Sequence, residues 1–434
     1  MQPEARNFHA VWPSLLATSM GLMAFLPTLP LYVKERFHVD DPVELTFLAG
    51  LIYGAAPFSA AIAGPFWGAL GDRLGKKPMA IRANVAIAIT TALMPFAPTP
   101  MWLLAMRALQ GVLAGYVAPA MALVTAGAGR ERHGEVIARL QVAMATGSFL
   151  GPYVGAEVGF WSGRAWVFWV ASALSLAAAV QLHCRAHEEP VVPPPGGPSV
   201  LRGFGRAFLG LLRQPVVAWL LVALVVLRLG SNMLDPLLAL VVRELGALPL
   251  LVEWSVDPAL ALDRTIAVPF AMLALAQWVC TRWWGRMADR HGPLRCLGLL
   301  ALGLGALHAT TACVGTIGQF LWVRAGTACL MAGSMTLAYA AVSKRVADGH
   351  RTLAFAMVQS CIQLGLSLGP LLGARVAAGA SGGVDFQRAF LLAASLCALA
   401  GVGMLVLRAV AGRGAPATGG EDPVREAGRG DGAA

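Results

Sequence analysis

About a dozen times along this chain, a stretch of about 20 mostly apolar residues recurs, the length an α-helix needs to cross the hydrocarbon core of a bilayer. The runs fall near residues 11–33, 46–70, 79–97, 101–125, 137–161 and 166–184. After a break they resume near 215–241, 265–284, 296–314, 319–342, 353–377 and 390–407. They predict an all-α integral membrane protein with twelve transmembrane helices, six on each side of the break. Composition agrees: 57% of the 434 residues are hydrophobic and 13% are charged, against about 25% charged in soluble domains. So few charges cannot cover a soluble globule of this size. The first run is too long for a cleaved signal peptide and lacks its charged start and small-residue cleavage site, so it counts as a helix.

The net charge of +10 does not point to nucleic acid, because the basic residues sit in short loops between apolar runs rather than on one arm or face. Arg73, Lys76, Lys77, Arg130, Arg132, Arg286, Arg290, Arg295, Lys344, Arg345 and Arg351 follow the second, fourth, eighth and tenth runs. The central break adds Arg185, Arg202, Arg206 and Arg213, whereas the other loops hold only Lys34, Arg36, Arg164, Arg243, Arg264 and Arg388. Positive loops stay in the cytoplasm. The expected location is therefore the cell inner (plasma) membrane, multi-pass, with both termini and the break cytoplasmic and membrane lipids as the surroundings. The seven cysteines are scattered through apolar runs without a CxxC pair; no metal site and no cofactor are expected.

Four segments follow: a six-helix bundle over 1–185, a cytoplasmic linker over 186–214, a second bundle over 215–408 and a disordered tail over 409–434. The linker opens with EEPVVPPPGGPS, which cannot pack. Leu201, Phe204, Phe208, Leu211 and Leu212 then share a helical face with Arg202, Arg206 and Arg213 off it, the pattern of a short interfacial helix or of the start of the seventh span.

The two bundles repeat one another. The turn GALGDRLGKK over 68–77 returns as GRMADRHGPLR over 285–295, with Gly68, Asp72, Arg73 and Gly75 matched 217 positions later by Gly285, Asp289, Arg290 and Gly292. Arg107 matches Arg324 at the same spacing, and LGPYVGA over 150–156 matches LGPLLGA over 368–374. PTLPLYVKE over 27–35 matches PLLALVVRE at a spacing of only 209, so an insertion of eight is expected between the seventh and eighth helices. Matched loops six helices apart lie on the same side, which makes these parallel repeats with a pathway between them near mid-membrane.

These residues resemble the major facilitator superfamily, specifically its twelve-helix drug:proton antiporter branch. GALGDRLGKK looks like the motif between its second and third helices. LLAMRALQGVLAG, with Arg107 and Gln110, looks like its fourth-helix motif, and GSFLGPYVGA, with Gly147, Gly151, Pro152 and Gly155, like the fifth-helix motif of exporters. FLPTLPLYV is similar to the proline pair closing the first helix of bacterial multidrug exporters. The resemblance implies a gate latch in which Asp72 holds the halves together, and a coupling role for Arg107.

The residues themselves admit plainer readings beside those. The 68–77 turn, with Gly68, Asp72, Arg73, Gly75, Lys76 and Lys77, also serves as a positive-inside anchor, its lysines pairing with carboxylates or lipid phosphates. Asp289 and Arg290 in the second copy read as structural. Arg107 either faces protein, since an unpaired cation at mid-membrane costs at least about 2.5–3.5 kcal/mol, or snorkels to the outer headgroups. The Gly147, Gly151 and Gly155 stripe beside Pro152, and its repeat in the eleventh helix, permits close packing and is expected to seal the interface between halves.

Further coupling candidates are Arg228 and Asp235, seven apart and on one face of the seventh helix, and Glu157 toward the outer end of the fifth. The first helix holds no acid, so the proton carrier is sought among these. Met23, Phe25, Tyr116, Asn232, Met233, Met335 and Tyr339 are candidate substrate-cavity residues; methionines and aromatics repack around varied lipophilic molecules. A primary pump is disfavoured because GDRLGKKP lacks the phosphate-loop pattern, and no clustered catalytic set marks an enzyme. The expectation is a proton-driven exporter of small, lipophilic molecules, a multidrug efflux antiporter working by alternating access as a monomer. A dedicated metabolite or siderophore exporter and a proton-coupled importer are the alternatives.

Overall fold

The computed structural model describes residues 3–125, 133–188, 213–343, 345–346, 351–378 and 384–413. Helices α1 (Pro3–Phe25), α2 (Leu29–Phe37), α3 (Pro42–Leu74), α4 (Lys76–Leu93), α5 (Pro100–Leu113), α6 (Val117–Thr125), α7 (His133–Ser162) and α8 (Arg164–Arg185) build the first half. The second half holds α9 (Pro215–Asn232), α10 (Leu238–Leu245), α11 (Pro249–Glu253), α12 (Pro258–His291), α13 (Pro293–Thr311), α14 (Ile317–Ser343), α15 (Arg351–Ala377) and α16 (Phe386–Arg413). The pairs α1–α2, α5–α6 and α9–α10 are each one interrupted span, and α11 lies in a loop, which leaves twelve spans. Eleven are apolar and long enough to cross a membrane. The twelfth, α7, has 30 residues.

Local chemistry repeats with the sequence. Asp41 caps α3, its carboxylate accepting from Val43 N and Glu44 N, and Asp257 caps α12 by accepting from Ala259 N; each is followed by a proline whose missing N–H costs nothing at that position. Thr99 and Thr316 cap α5 and α14, each hydroxyl accepting at 3.3 Å from the amide three residues on. The reversals α3–α4 and α12–α13 turn on Gly75 (φ +100°) and Gly292 (φ +83°), a conformation L side chains rarely adopt. The expected insertion is present. Residues 38–41 join α2 to α3, whereas 246–257, eight residues longer and carrying α11, join α10 to α12.

Three spans are interrupted where one helix was expected. Pro27 and Pro30 do not close the first span but divide it into α1 and α2, with buried Leu29, Leu31 and Val33 continuing beyond the break. A 3-10 turn, Asp235–Leu237, containing Pro236, divides the seventh span in the same place. The fourth span breaks at Gly115 (φ +104°). Its repeat partner, 217 positions on, is Ala332 inside the unbroken α14; a Cβ there keeps the backbone helical. Carbonyls freed by the fourth-span break are satisfied by side chains: Trp67 Nε1 donates to Val112 O at 2.5 Å and Arg82 Nη2 to Ala114 O at 3.4 Å, with the Arg82 guanidinium 3.5 Å over the Trp67 ring. In the second half Trp284 Nε1 donates to Cys329 O at 2.9 Å, the same bond displaced by 217 residues.

The end carrying Gly75 and Gly292 is the basic end, and the end carrying Asp41 and Asp257 is the far end. The apolar core is split between the halves. At the basic end each buried cluster draws its members from one half. At the far end the clusters interpenetrate: Leu31 joins the second half's and Leu240 packs against the first half's. The halves are bridged by α3 on α15 and α7 on α12. A Cβ on Gly50 or Gly54 would press on Pro370 or Ser367 of α15, while one on Gly64, toward the basic end, would meet nothing within 4 Å. Among the described residues the halves thus meet at the far end.

The first bundle extends past its expected boundary at 185, since Asn7 exchanges two 2.8 Å hydrogen bonds with the His187 backbone. Helix α16 runs to Arg413, five residues beyond the expected 408. The expected interfacial helix and the tail from 414 lie outside the described residues.

Candidate functional site

Seven residues into α5 and into α14, about two turns from the far end, the repeat places Arg107 and Arg324. They are only 4% and 5% exposed, so Arg107 does not snorkel. Arg107 donates to the Gln110 side chain, Gln110 donates to Thr91 Oγ1 at 2.7 Å, and the guanidinium stands 5.4 Å over the Phe25 ring. Arg324 reaches Asp235 Oδ1 at 3.5 Å. Tyr53 of α3, itself buried, lies within electrostatic reach of Arg107, Asp235 and Arg324 and so joins the two halves in one polar layer.

Asp235 and Arg228, expected on one helical face, lie within electrostatic reach of each other without forming an ion pair. Helix α9 ends at Asn232, and the turn at Pro236 rotates Asp235 toward Arg324. Arg228 instead donates to Ser334 Oγ of α14 at 3.2 Å. Among the described residues this layer holds one carboxylate, Asp235, against Arg107, Arg228 and Arg324. Three positive charges and one negative leave it at +2. The Nε atoms of all three arginines are buried without a hydrogen-bond partner.

Glu157 belongs elsewhere. It accepts from Arg264 Nε of α12 at 2.6 Å and from Trp161 at 3.3 Å, at the far end. Beside it Arg164 donates to Glu35 at 2.7 Å and to Asp263 at 3.2 Å. Arg164–Asp263 and Glu157–Arg264 are reciprocal ion pairs across the halves, each half giving one acid and one base. Sequence reasoning missed Asp263 and Glu35; the signal available was acids within a turn or two of span ends opposite lone arginines.

The side chains of Gly68, Asp72 and Arg73 lie outside the described residues. Around them, the basic-end turn is tied within its own half. Glu188 accepts from Lys76 N at 2.6 Å and from Lys77 N at 2.7 Å, and Lys77 Nζ donates to His183 O at 3.0 Å and Ala186 O at 2.8 Å. A carboxylate thus sits on the N-terminus of α4 and a cation on the C-terminus of α8, where helix dipoles favour each. The Lys77 ammonium meets carbonyls and its backbone amide a carboxylate. Asp289 and Arg290 are exposed at the end of α12.

The glycine stripes do not face across the halves. Gly147, Gly151 and Gly155 of α7 lie on the backbone of α1 at Leu16, Met20 and Ala24, and Gly365, Gly369 and Gly373 of α15 on α9 and its end at Arg228, Leu229 and Met233. Each stripe locks a pair inside one half, while other faces of α7 and α15 bridge the halves. Pro152 lies inside α7.

Of the cavity candidates, Phe25 and Met233 are fully buried filler, Phe25 against Phe168. Tyr116 bonds Ser19 Oγ at 3.1 Å, and Asn232 donates to Arg228 O at 2.7 Å. Met23, Met335 and Tyr339 keep exposed surface, Tyr339 donating to Gln359 Oε1 at 2.9 Å beside Phe355.

Two parallel six-helix halves joined at the far end, with a charged layer at the seam, have the architecture of a multi-pass membrane transporter. The family model of the Major Facilitator Superfamily matches residues 11–255 and again 220–430; the chain belongs to that superfamily, a transporter of small molecules rather than an enzyme. It is 27% identical over 398 residues to the multi-drug resistance efflux pump PmrA of Streptococcus pneumoniae, covering 90% of this chain and 93% of that one. It is 30% identical over 380 residues to the multidrug resistance protein MdtG of a Rahnella strain, covering 86% and 87%. The nucleoside transporter NupG superposes with a TM-score of 0.75 over 94% of this chain and 99% of its own, at 13% identity, a likeness of fold.

Proposed function

We propose that this protein exports small, lipophilic molecules across the plasma membrane in exchange for protons, by alternating access, with the basic end and both termini in the cytoplasm. Likeness to efflux pumps over nearly the whole chain supports export, and the loop arginines support the orientation. The observation that carries the coupling is Asp235, a buried carboxylate paired with Arg324 at the break of the seventh span. Protonating Asp235 removes the partner of a buried guanidinium, and a buried charge stripped of its partner is strongly unfavourable. The turn bearing Asp235 packs on α3 of the other half, so proton loading acts where the closed far end is held. One proton crossing about 150 mV supplies roughly 3.5 kcal/mol. At about 1.4 kcal/mol per decade this sustains a gradient of two to three decades for a neutral cargo. A gating role for Asp72 and Arg73 at the basic end completes the reading.

The test uses everted membrane vesicles acidified inside by respiration. Substrate addition should raise the internal pH, and Asp235→Asn should slow that response by roughly tenfold or more while the protein stays inserted. An unchanged response in Asp235→Asn would assign the proton to another acid; no response to any drug or metabolite would end the antiport reading.

A further inference from the structure

Among the described residues the polar layer carries more positive charge than its carboxylate neutralises; of its two arginines without an ion pair, Arg107 is 4% exposed and Arg228 is partly exposed. Helix α9 packs on α15 and α16, and α14 packs on α12 and α13, so α9 and α14 touch little along their length. Arg228 crosses the space between them. Its single described side-chain hydrogen bond is to a neutral hydroxyl, Ser334 Oγ at 3.2 Å, and its Nε is buried without a partner. Asp235 and, on α14, the partly exposed Tyr339 lie within electrostatic reach of it. The layer's one described carboxylate, Asp235, forms its ion pair with Arg324 and acts on Arg228 only through space, so one negative charge is shared among three arginines. A guanidinium held this way has donors to spare and offers them in the planar fork that carboxylates, sulfonates and phosphonates match. A cationic cargo would meet a layer of net positive charge.

We propose that Arg228 anchors the anionic group of the cargo, so that the transported class is amphipathic organic anions. The inference rests on the transporter reading and names the substrate class of its central site. An exported anion also moves down an inside-negative membrane potential, in the direction the proposed exchange requires.

Binding at uniform pH tests it without calling on proton coupling. The full-length protein, in phosphatidylcholine nanodiscs, is titrated calorimetrically with 2-naphthalenesulfonate and with its cationic counterpart, 2-naphthylmethyl-trimethylammonium. The sulfonate should bind and the cation should bind at least tenfold more weakly. Arg228→Gln should weaken the sulfonate roughly tenfold or more, the loss of a charge-assisted contact, and Arg228→Lys should restore part of it; unchanged thermal unfolding shows that the variants fold. Competition by phosphatidylglycerol in the disc would show that a lipid headgroup can fill the same anion site. Binding of the cation as well as the sulfonate, of neither, or of the sulfonate to Arg228→Gln within twofold of wild type would overturn the proposal. A vesicle that binds the sulfonate yet shows no cargo-evoked pH change would sink proton antiport and leave the anion site standing.

Discussion

Gly155 of α7 and Gly64 of α3 are glycines in two spans of one bundle, and the tertiary structure gives them opposite tolerance. A Cβ on Gly155 would overlap the carbonyl oxygen of Ala24, a backbone atom that cannot swing away, whereas a Cβ on Gly64 would meet nothing within 4 Å. Gly155→Val is therefore expected to cost about 1–3 kcal/mol or more of stability. Gly64→Ala should change it little or gain up to about 1 kcal/mol from helix propensity. Thermal unfolding in detergent would check both; equal losses would mean that α1 and α7 are not in the contact described. The four-residue period of the stripe was readable in the chain. The neighbour it lies on was not, because spacing says that a face is small without saying what fills the gap. Asp235 is similar: its type and rough depth were legible, and its partner was not, since the rotation at Pro236 depends on how that turn docks on α3.

At the scale of elements, the repeats differ most in the fourth and tenth spans, where Gly115 permits a break that Ala332 does not, although Trp67 and Trp284 make the same bond in each half. The far end is where elements of different halves bind. Arg164 and Asp263 are 15% and 7% exposed, whereas Arg264 and Glu157 are 26% and 39% exposed. Removing the base of the buried pair by Arg164→Ala should cost on the order of 3 kcal/mol because Asp263 stays buried without it, and Asp263→Ala should cost less because Arg164 keeps Glu35. Removing Glu157 should cost no more than about 1 kcal/mol, as for exposed pairs, and less at high salt. A double-mutant cycle on thermal unfolding measures both. A larger coupling for Glu157–Arg264 would reverse the ranking of the two contacts.

For the whole molecule, closure at the far end predicts a labelling pattern. In a background with the seven cysteines replaced, Gly64→Cys should react readily with a small maleimide, and Leu31→Cys, buried at the far-end seam, should be protected at least tenfold. Anything that opens the far end, such as Arg164→Asp, should narrow that difference. Equal reactivity would mean that the far end is not the closed one.

By itself the sequence determined that the chain is all helix in lipid, that twelve spans form two parallel repeats, that eight extra residues fall in the 246–257 loop, and that the basic residues gather at one end. Those properties are set by hydropathy, caps and turn glycines acting over a few residues, or by comparison of one half with the other. Only the tertiary structure decided that Arg324, and not Arg228, holds Asp235, that Glu157 and Arg164 tie the far end, and that the glycine stripes bind within each half. Those contacts join residues 89 to 107 positions apart in the case of the ion pairs across spans and halves. Over such separations nothing local fixes which faces meet; that is set by the breaks at the prolines and by close packing of helices against one another.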